Sequence, residues 1–144
     1  MAEMSNPSFV GFQAKVEIPE GFELLEIREE IVSALDKEEL YSYLSRADLL
    51  SNWFYEVKNL DLRPGGKVNF IDDSGSAAKA VCTSVTFGKN ISLLADAFGN
   101  FTAHVSKSGS GSKISLNFKI LTDSPQVNNQ RILAAISKLR ALIA

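Results

Sequence analysis

The clearest signal in the chain is a period-two alternation of apolar and polar residues through its second half. In Lys113–Leu121, Ile114, Leu116, Phe118 and Ile120 share one parity, and Lys113, Ser115, Asn117 and Lys119 share the other. That is the pattern of a strand with one buried face. Strands with this period are predicted at Val57–Leu62, Lys67–Ile71, Ala77–Phe87, Ile91–Asp96 and Phe101–Lys107. Between them lie Arg63–Gly66, Asp72–Ser76, Gly88-Lys89-Asn90, Gly99-Asn100 and a glycine-serine loop at Ser108–Ser112, read as flexible. Proline presets φ for a turn, and glycine supplies the positive φ that other residues resist. Turns this closely spaced predict an antiparallel meander. Nearer the N-terminus, Phe22–Ser33 places Leu25, Ile27 and Ile31 on one parity and Glu26, Arg28 and Glu30 on the other. It reads as a strand although its glutamates favour a helix, with Glu29 on the wrong face.

Helical signals fall in two places. Over Leu35–Leu44, Asp36 is placed to cap, Glu39 follows at N3, and Leu35 and Leu40 form a hydrophobic staple. The pattern repeats with Ser45 as cap, Asp48 at N3, and Leu44 and Leu49 as the staple. Two short helices are therefore expected, about 36–44 and 46–53, the second ending at Trp53-Phe54. At the C-terminus, Ser124 and Pro125 stand as N-cap and N1 of a helix over 125–143, roughly 28 Å long. Ile132, Ile136, Leu139 and Ile143 form one apolar stripe with Leu133 beside it. Arg131, Lys138 and Arg140 come late in this helix, where cations complement the C-terminal dipole.

The order predicts an α+β fold: a curved antiparallel sheet of about seven strands around a long C-terminal helix, with two short helices after the first strand. Residues 1–21, broken by Pro7, Pro19 and Gly21, read as a tail or edge extension. Residues 22–144 read as one domain.

Composition narrows the function classes. Apolar residues are 45% of the 144, enough for a core at this length. The net charge of −2 and pI of about 5.4 argue against nucleic acid as a partner. No apolar run approaches the roughly 18 residues of a membrane span, and no leader pattern opens the chain. The single cysteine, Cys82, forms no internal disulfide, which points to a reducing cytoplasm. Charge is uneven: residues 1–61 carry 13 acids and 5 bases, and residues 62–144 carry 4 acids and 10 bases. Either the halves face each other within the domain, or they form a dipole that orients a partner.

No catalytic constellation stands out. His104 is the only histidine and shares the polar parity of Thr102 and Ser106. One His and one Cys do not make a zinc site. Asp72-Asp73 with Ser74-Gly75 reads as a polar turn, since calcium needs more oxygen ligands. Ser108–Ser112 lacks the lysine and glycine spacing of a phosphate cradle. Cys82, among Ala78, Ala80 and Ser84, reads as a small packing residue; nothing in the sequence lowers its pKa. No metal or cofactor is expected.

The order of elements, with Leu50-Ser51-Asn52-Trp53-Phe54 and Asp61-Leu62-Arg63-Pro64-Gly65-Gly66-Lys67-Val68-Asn69-Phe70, resembles the helix-grip fold of the START-like (SRPBCC) superfamily. Within it, the chain is similar to the branch that includes the C-terminal domain of the Hsp90 ATPase activator. The segment 88–106 departs by lacking that branch's tryptophan-rich strand. The resemblance implies pairing of the first and last strands, with Glu26 and Glu30 near Lys113 and Lys119. It also implies a cavity between sheet and final helix that holds an apolar or amphipathic small molecule. Trp53 and Phe54 would gate that cavity or close the core. Phe70, Phe101 and Phe118 would form its concave wall, facing Ile132, Leu133 and Ile136, a set that equally suits a filled core. Ala78, Ala80 and Cys82 would leave room if they point inward, while Val81, Val85 and Phe87 compete for that face and look more core-like. Three functions follow from the resemblance: a non-enzymatic ligand-binding module, a protein-interaction or cochaperone-like module, and a cyclase- or hydrolase-type enzyme with His104 or Asp96 as acid–base.

Overall fold

A computed structural model describes residues 18–144, so most of the expected tail lies outside the described residues. The elements are β1 Glu23–Ser33, α1 Lys37–Ser45, α2 Ala47–Leu50, β2 Glu56–Leu60, β3 Lys67–Ile71, β4 Ala77–Thr86, β5 Asn90–Ala95, β6 Gly99–Ser108, β7 Gly111–Thr122 and α3 Pro125–Ile143. The strands form one antiparallel sheet in the order β1-β7-β6-β5-β4-β3-β2. It is the expected α+β arrangement, with α3 packed on the inner face.

The first and last strands pair along their whole length. Glu26 stands opposite Lys119, and Lys113 Nζ lies 3.6 Å from Glu30. Glu29, the residue that breaks the alternation, has a reason to face inward. Arg140 of α3 donates to it at 2.7 Å. Four residues on, the buried Ser33 hydroxyl donates to the carbonyl of Ile143 at 2.5 Å, satisfying one of the carbonyls left open at a helix C-terminus. The end of α3 is thus tied to β1, and acidic and basic halves meet there.

Asp36 caps α1 as expected, accepting from Glu39 N at 2.8 Å. The second cap does not form. Ser45 stays inside α1, and the corner falls at Arg46, whose guanidinium occupies the Asp48 carboxylate. With that carboxylate engaged, α2 is only Ala47–Leu50. Ser51 then links α2 to the sheet: its hydroxyl donates to Ala47 O and accepts from Val57 N. Ser124 occupies the N-cap position of α3 without a side-chain cap bond. Thr122 instead ties the turn before the helix to its first turn, accepting from Ser124 N and donating to Asn128 Oδ1.

Two turns depend on glycine. In Arg63–Gly66 the backbone of Gly65 and Gly66 bonds both ways with Cys82, each at 2.8 Å, and a Cβ on Gly66 would sit 2.1 Å from Asp61 O. The Ser108–Ser112 stretch, expected as a flexible loop, is a tight hairpin in which Ser108 pairs with Gly111. A Cβ on Gly111 would lie 2.1 Å from Ser33 O, so β1 runs too close there for any side chain.

In β4 each of the two competing parities faces inward over part of the strand, and Phe87 does not. Ala80 and Cys82 are buried, and Phe87 is 87% exposed. A β-bulge between Cys82 and Ser84 inserts one residue and flips the parity. Small residues therefore face inward before the bulge, and Val85 faces the core after it.

Candidate functional site

The candidate site is a cleft of about 370 Å³ between α3 and the β2–β3 edge of the sheet. Helical geometry explains why it opens there. At 100° per residue, Ile132, Ala135, Ile136, Leu139 and Ile143 form the buried stripe. Leu133 and Arg140 lie on the flank toward β1. Arg131, Ala134 and Lys138 lie on the opposite flank, and with Ala135 at the stripe's edge they line the cleft. Trp53–Glu56 supply its floor, and Ile71–Asp73, entering the β3–β4 turn, supply its far wall.

Arg131 organises the cleft. Its guanidinium carbon lies 3.6 Å from the ring centroid of Tyr55, close enough for a cation–π contact. Its Nε donates to Asp73 at 3.0 Å, and its Nη2 donates to Phe54 O at 3.2 Å. Burial raises the Tyr55 phenol above its ordinary pKa, with the nearby Arg131 charge working against it. The phenol therefore stays protonated at neutral pH and serves as a hydrogen-bonding group rather than a base. Asp72 is held below the usual carboxylate range, first by the Ser74 hydroxyl and then by the Ser76 and Ser74 amides.

The residues expected to bound an interior cavity come together, but they pack on one another. Trp53, Phe70, Phe101 and Phe118 are almost wholly buried. Phe101 stacks on Phe118 at 4.8 Å and on Phe54 at 5.0 Å, and Trp53 meets its edge at 6.0 Å. Trp53 Nε1 donates to Tyr43 O at 3.0 Å, so the indole is anchored under α1. Ile132 and Ile136 cover these rings from α3. Leu133 does not: it is 46% exposed, because it sits about 100° round the helix from Ile132. Of the expected wall residues only Trp53 and Phe54 border the cleft.

Sequence alone does not single out Tyr55, Arg131 or Lys138 as site residues. Tyr55 continues Trp53-Phe54, but only the sheet edge shows that its ring meets α3. By position in the chain the cations suit the helix dipole, whereas Arg131 and Arg140 act sideways, as straps to either side of α3. His104 and Asp96 are exposed and neither lines the cleft. Cys82 is buried, and burial pushes its thiol pKa up, which makes it a poor nucleophile. Among the described residues no three His, Cys, Asp or Glu side chains gather as metal ligands, and no helix is long and apolar enough to cross a membrane.

No family model and no curated protein matches the chain. Solved structures do match it. A protein from Nitrosomonas europaea superposes with a TM-score of 0.64 at 17% identity, over 88% of this chain and 97% of that one. A protein from Mesorhizobium loti gives 0.66 at 14%, over 83% and 96%. The Aha1 dimer from Colwellia psychrerythraea gives 0.63 at 13%, over 83% and 96%. The chain shares the fold of these structures, an Aha1 protein among them: one curved antiparallel sheet gripping a C-terminal helix. At these identities the likeness is one of fold. In helix-grip terms, this domain closes its grip on an aromatic core and leaves its one-sided cleft at the β2–β3 edge.

Proposed function

We propose that this helix-grip domain, spanning residues 22–144, is a non-enzymatic binding module that takes a small amphipathic molecule in the cleft between α3 and the β2–β3 edge. The observation that carries this reading is the cleft itself. Its volume lies in the range of small-molecule sites, and charged and polar side chains converge on it above buried aromatic rings. The stacked interior rings favour a site at this edge over a deep cavity. The protonated Tyr55 and the distance of His104 and Asp96 from the cleft favour binding over catalysis. The lone buried Cys82 suits a reducing cytoplasm.

Trp53 is the only tryptophan and lies at the cleft floor, so it reports on occupancy. Short-chain amphiphiles titrated into the protein should change its fluorescence saturably and raise the melting temperature. Ala134→Leu, a substitution at an exposed position, should fill the cleft and abolish both effects with the fold intact. Absence of any spectral or thermal response across neutral, anionic and cationic amphiphiles would refute the reading.

A second reading rests on a different face. Phe87 projects from the β4–β5 turn with its ring 5.6 Å from Tyr41, beside a groove bordered by Leu60, Leu62 and Glu38. Contiguous exposed apolar surface marks interaction sites, and Phe87 borders one groove with Tyr41, Leu60 and Leu62. One fold neighbour is a dimer, and by that analogy a second copy is the proposed partner. Sedimentation should then show a concentration-dependent dimer that Phe87→Ser abolishes; a monomer at all concentrations would rule it out.

A further inference from the structure

We infer that the cleft selects an anionic head group, a carboxylate or phosphate, and holds it at Lys138. This rests on the reading that the cleft binds amphipathic molecules, and it adds the charge of the ligand.

Three carboxylates border the cleft, and each is engaged. Lys58 donates to Glu56 at 2.5 Å. Asp72 accepts from the Ser74 amide, the Ser74 hydroxyl and the Ser76 amide. Asp73 takes Arg131. Of the two cations, Arg131 is engaged by Asp73 and by Phe54 O. Lys138 has no carboxylate within ion-pair distance among the described residues. Among the described residues Lys138 is therefore the charged group of the lining with neither a counter-ion nor a hydrogen-bond partner, whereas Asp72 keeps its charge but is held by neutral donors.

Position supports the same choice. Lys138 follows Arg131 by seven residues, about 10 Å along the same flank of α3. Ala134 and Ala135 lie between them, and their small side chains leave space above the buried rings of Phe54 and Tyr55. An apolar body laid along Ala134 and Ala135 brings its head group to Lys138. A lysine stem is long and flexible enough to follow a head group of either shape. A guanidinium carries five N–H donors, and Arg131 spends only Nε and one from Nη2 on the protein. The remainder offer a second point of contact. A neutral amphiphile lacks the charge contact, and a cationic one is repelled by the Lys138 ammonium.

The test is a matched series on the full chain at neutral pH: octanoate, octyl phosphate, 1-octanol and octylamine, followed by Trp53 fluorescence. The two anions should bind about tenfold or more tighter than octanol, as expected of charge-assisted hydrogen bonds, with octylamine weakest. High salt should narrow the gap. Lys138→Gln should bring the anions to the level of octanol, and Lys138→Arg should keep the preference. Lys138 is exposed, so both variants should fold, which circular dichroism checks. Equal binding of octanol and the anions, or a preference that survives Lys138→Gln, overturns the head-group inference while cleft binding stands. No binding by any of the four overturns both. Tighter octanoate names a carboxylate, and tighter octyl phosphate a phosphate.

Discussion

Arg131 stacks on Tyr55 at 3.6 Å and so fastens the first half of α3 to the start of β2. Arg140 fastens the other flank to β1 through Glu29. The two straps differ in burial. The Arg131 side chain is 20% exposed, whereas Arg140 and Glu29 are 48% and 41% exposed. Arg131→Ala should therefore cost about 1–3 kcal/mol from lost cation–π and charged hydrogen bonds, and Arg131→Lys should recover only part, since an ammonium lacks the planar fork. A double-mutant cycle on Glu29 and Arg140 should give only about 0–1 kcal/mol. Urea unfolding measures both; equal and negligible values would show that Arg131 straps nothing.

The two glycines of the β6–β7 hairpin should behave differently. Gly109 has φ +57 and open space where a Cβ would sit, so Gly109→Ala should cost about 1–2 kcal/mol from backbone strain alone. Gly111→Ala would force a Cβ against Ser33 O and Ala34, and should cost about 3 kcal/mol or more. Thermal melts of the two variants rank them; similar melting temperatures would contradict the close approach of β1.

Asp72 gives a pH signature. Its folded pKa lies below its ordinary value because the Ser74 hydroxyl and the Ser76 and Ser74 amides bond the charged form. A depressed carboxylate contributes stability above its unfolded pKa, about 3.9, and loses it as the pH falls through the folded value. Carboxyl NMR should find its midpoint below about 3.9, with the Ser74 and Ser76 amide resonances moving together with it. Asp72→Ala should leave those amides exchanging faster at neutral pH. A midpoint at or above the ordinary value would show that the turn is not organised by this carboxylate.

Much of the architecture is legible from local pattern. The alternation in β7, the Asp36 cap, the glycine turn after Leu62 and the stripe on α3 all report contacts within a few residues. Hence strands, turns and the final helix emerge close to their observed bounds. The differences arise where a stronger partner takes over a local signal. Asp48 reads as part of a capping box, but Arg46 holds it. The Ser108–Ser112 stretch reads as a linker, yet the approach of β1 requires its small residues. The inward face of β4 stays open between two parities in the sequence because a single bulged residue flips the parity part-way along, and alternation alone does not reveal a bulge.

The candidate site divides the same way. Trp53 and Phe54 are visible in the sequence as aromatics arriving where the sheet begins, and the hydrophobic stripe already places α3 against them. Whether those rings enclose a space or fill it depends on how Phe54, Phe101 and Phe118 stack, and these side chains come from three separate parts of the chain. The choice of Arg131 and Lys138 over Leu133 as cleft residues depends on which flank of α3 lies toward the sheet edge. Periodicity fixes the stripe of a helix but not the neighbour on either side of it. That neighbour is set by strand order, in which β1 lies at one edge and β2 at the other, so the cleft belongs to the assembled fold.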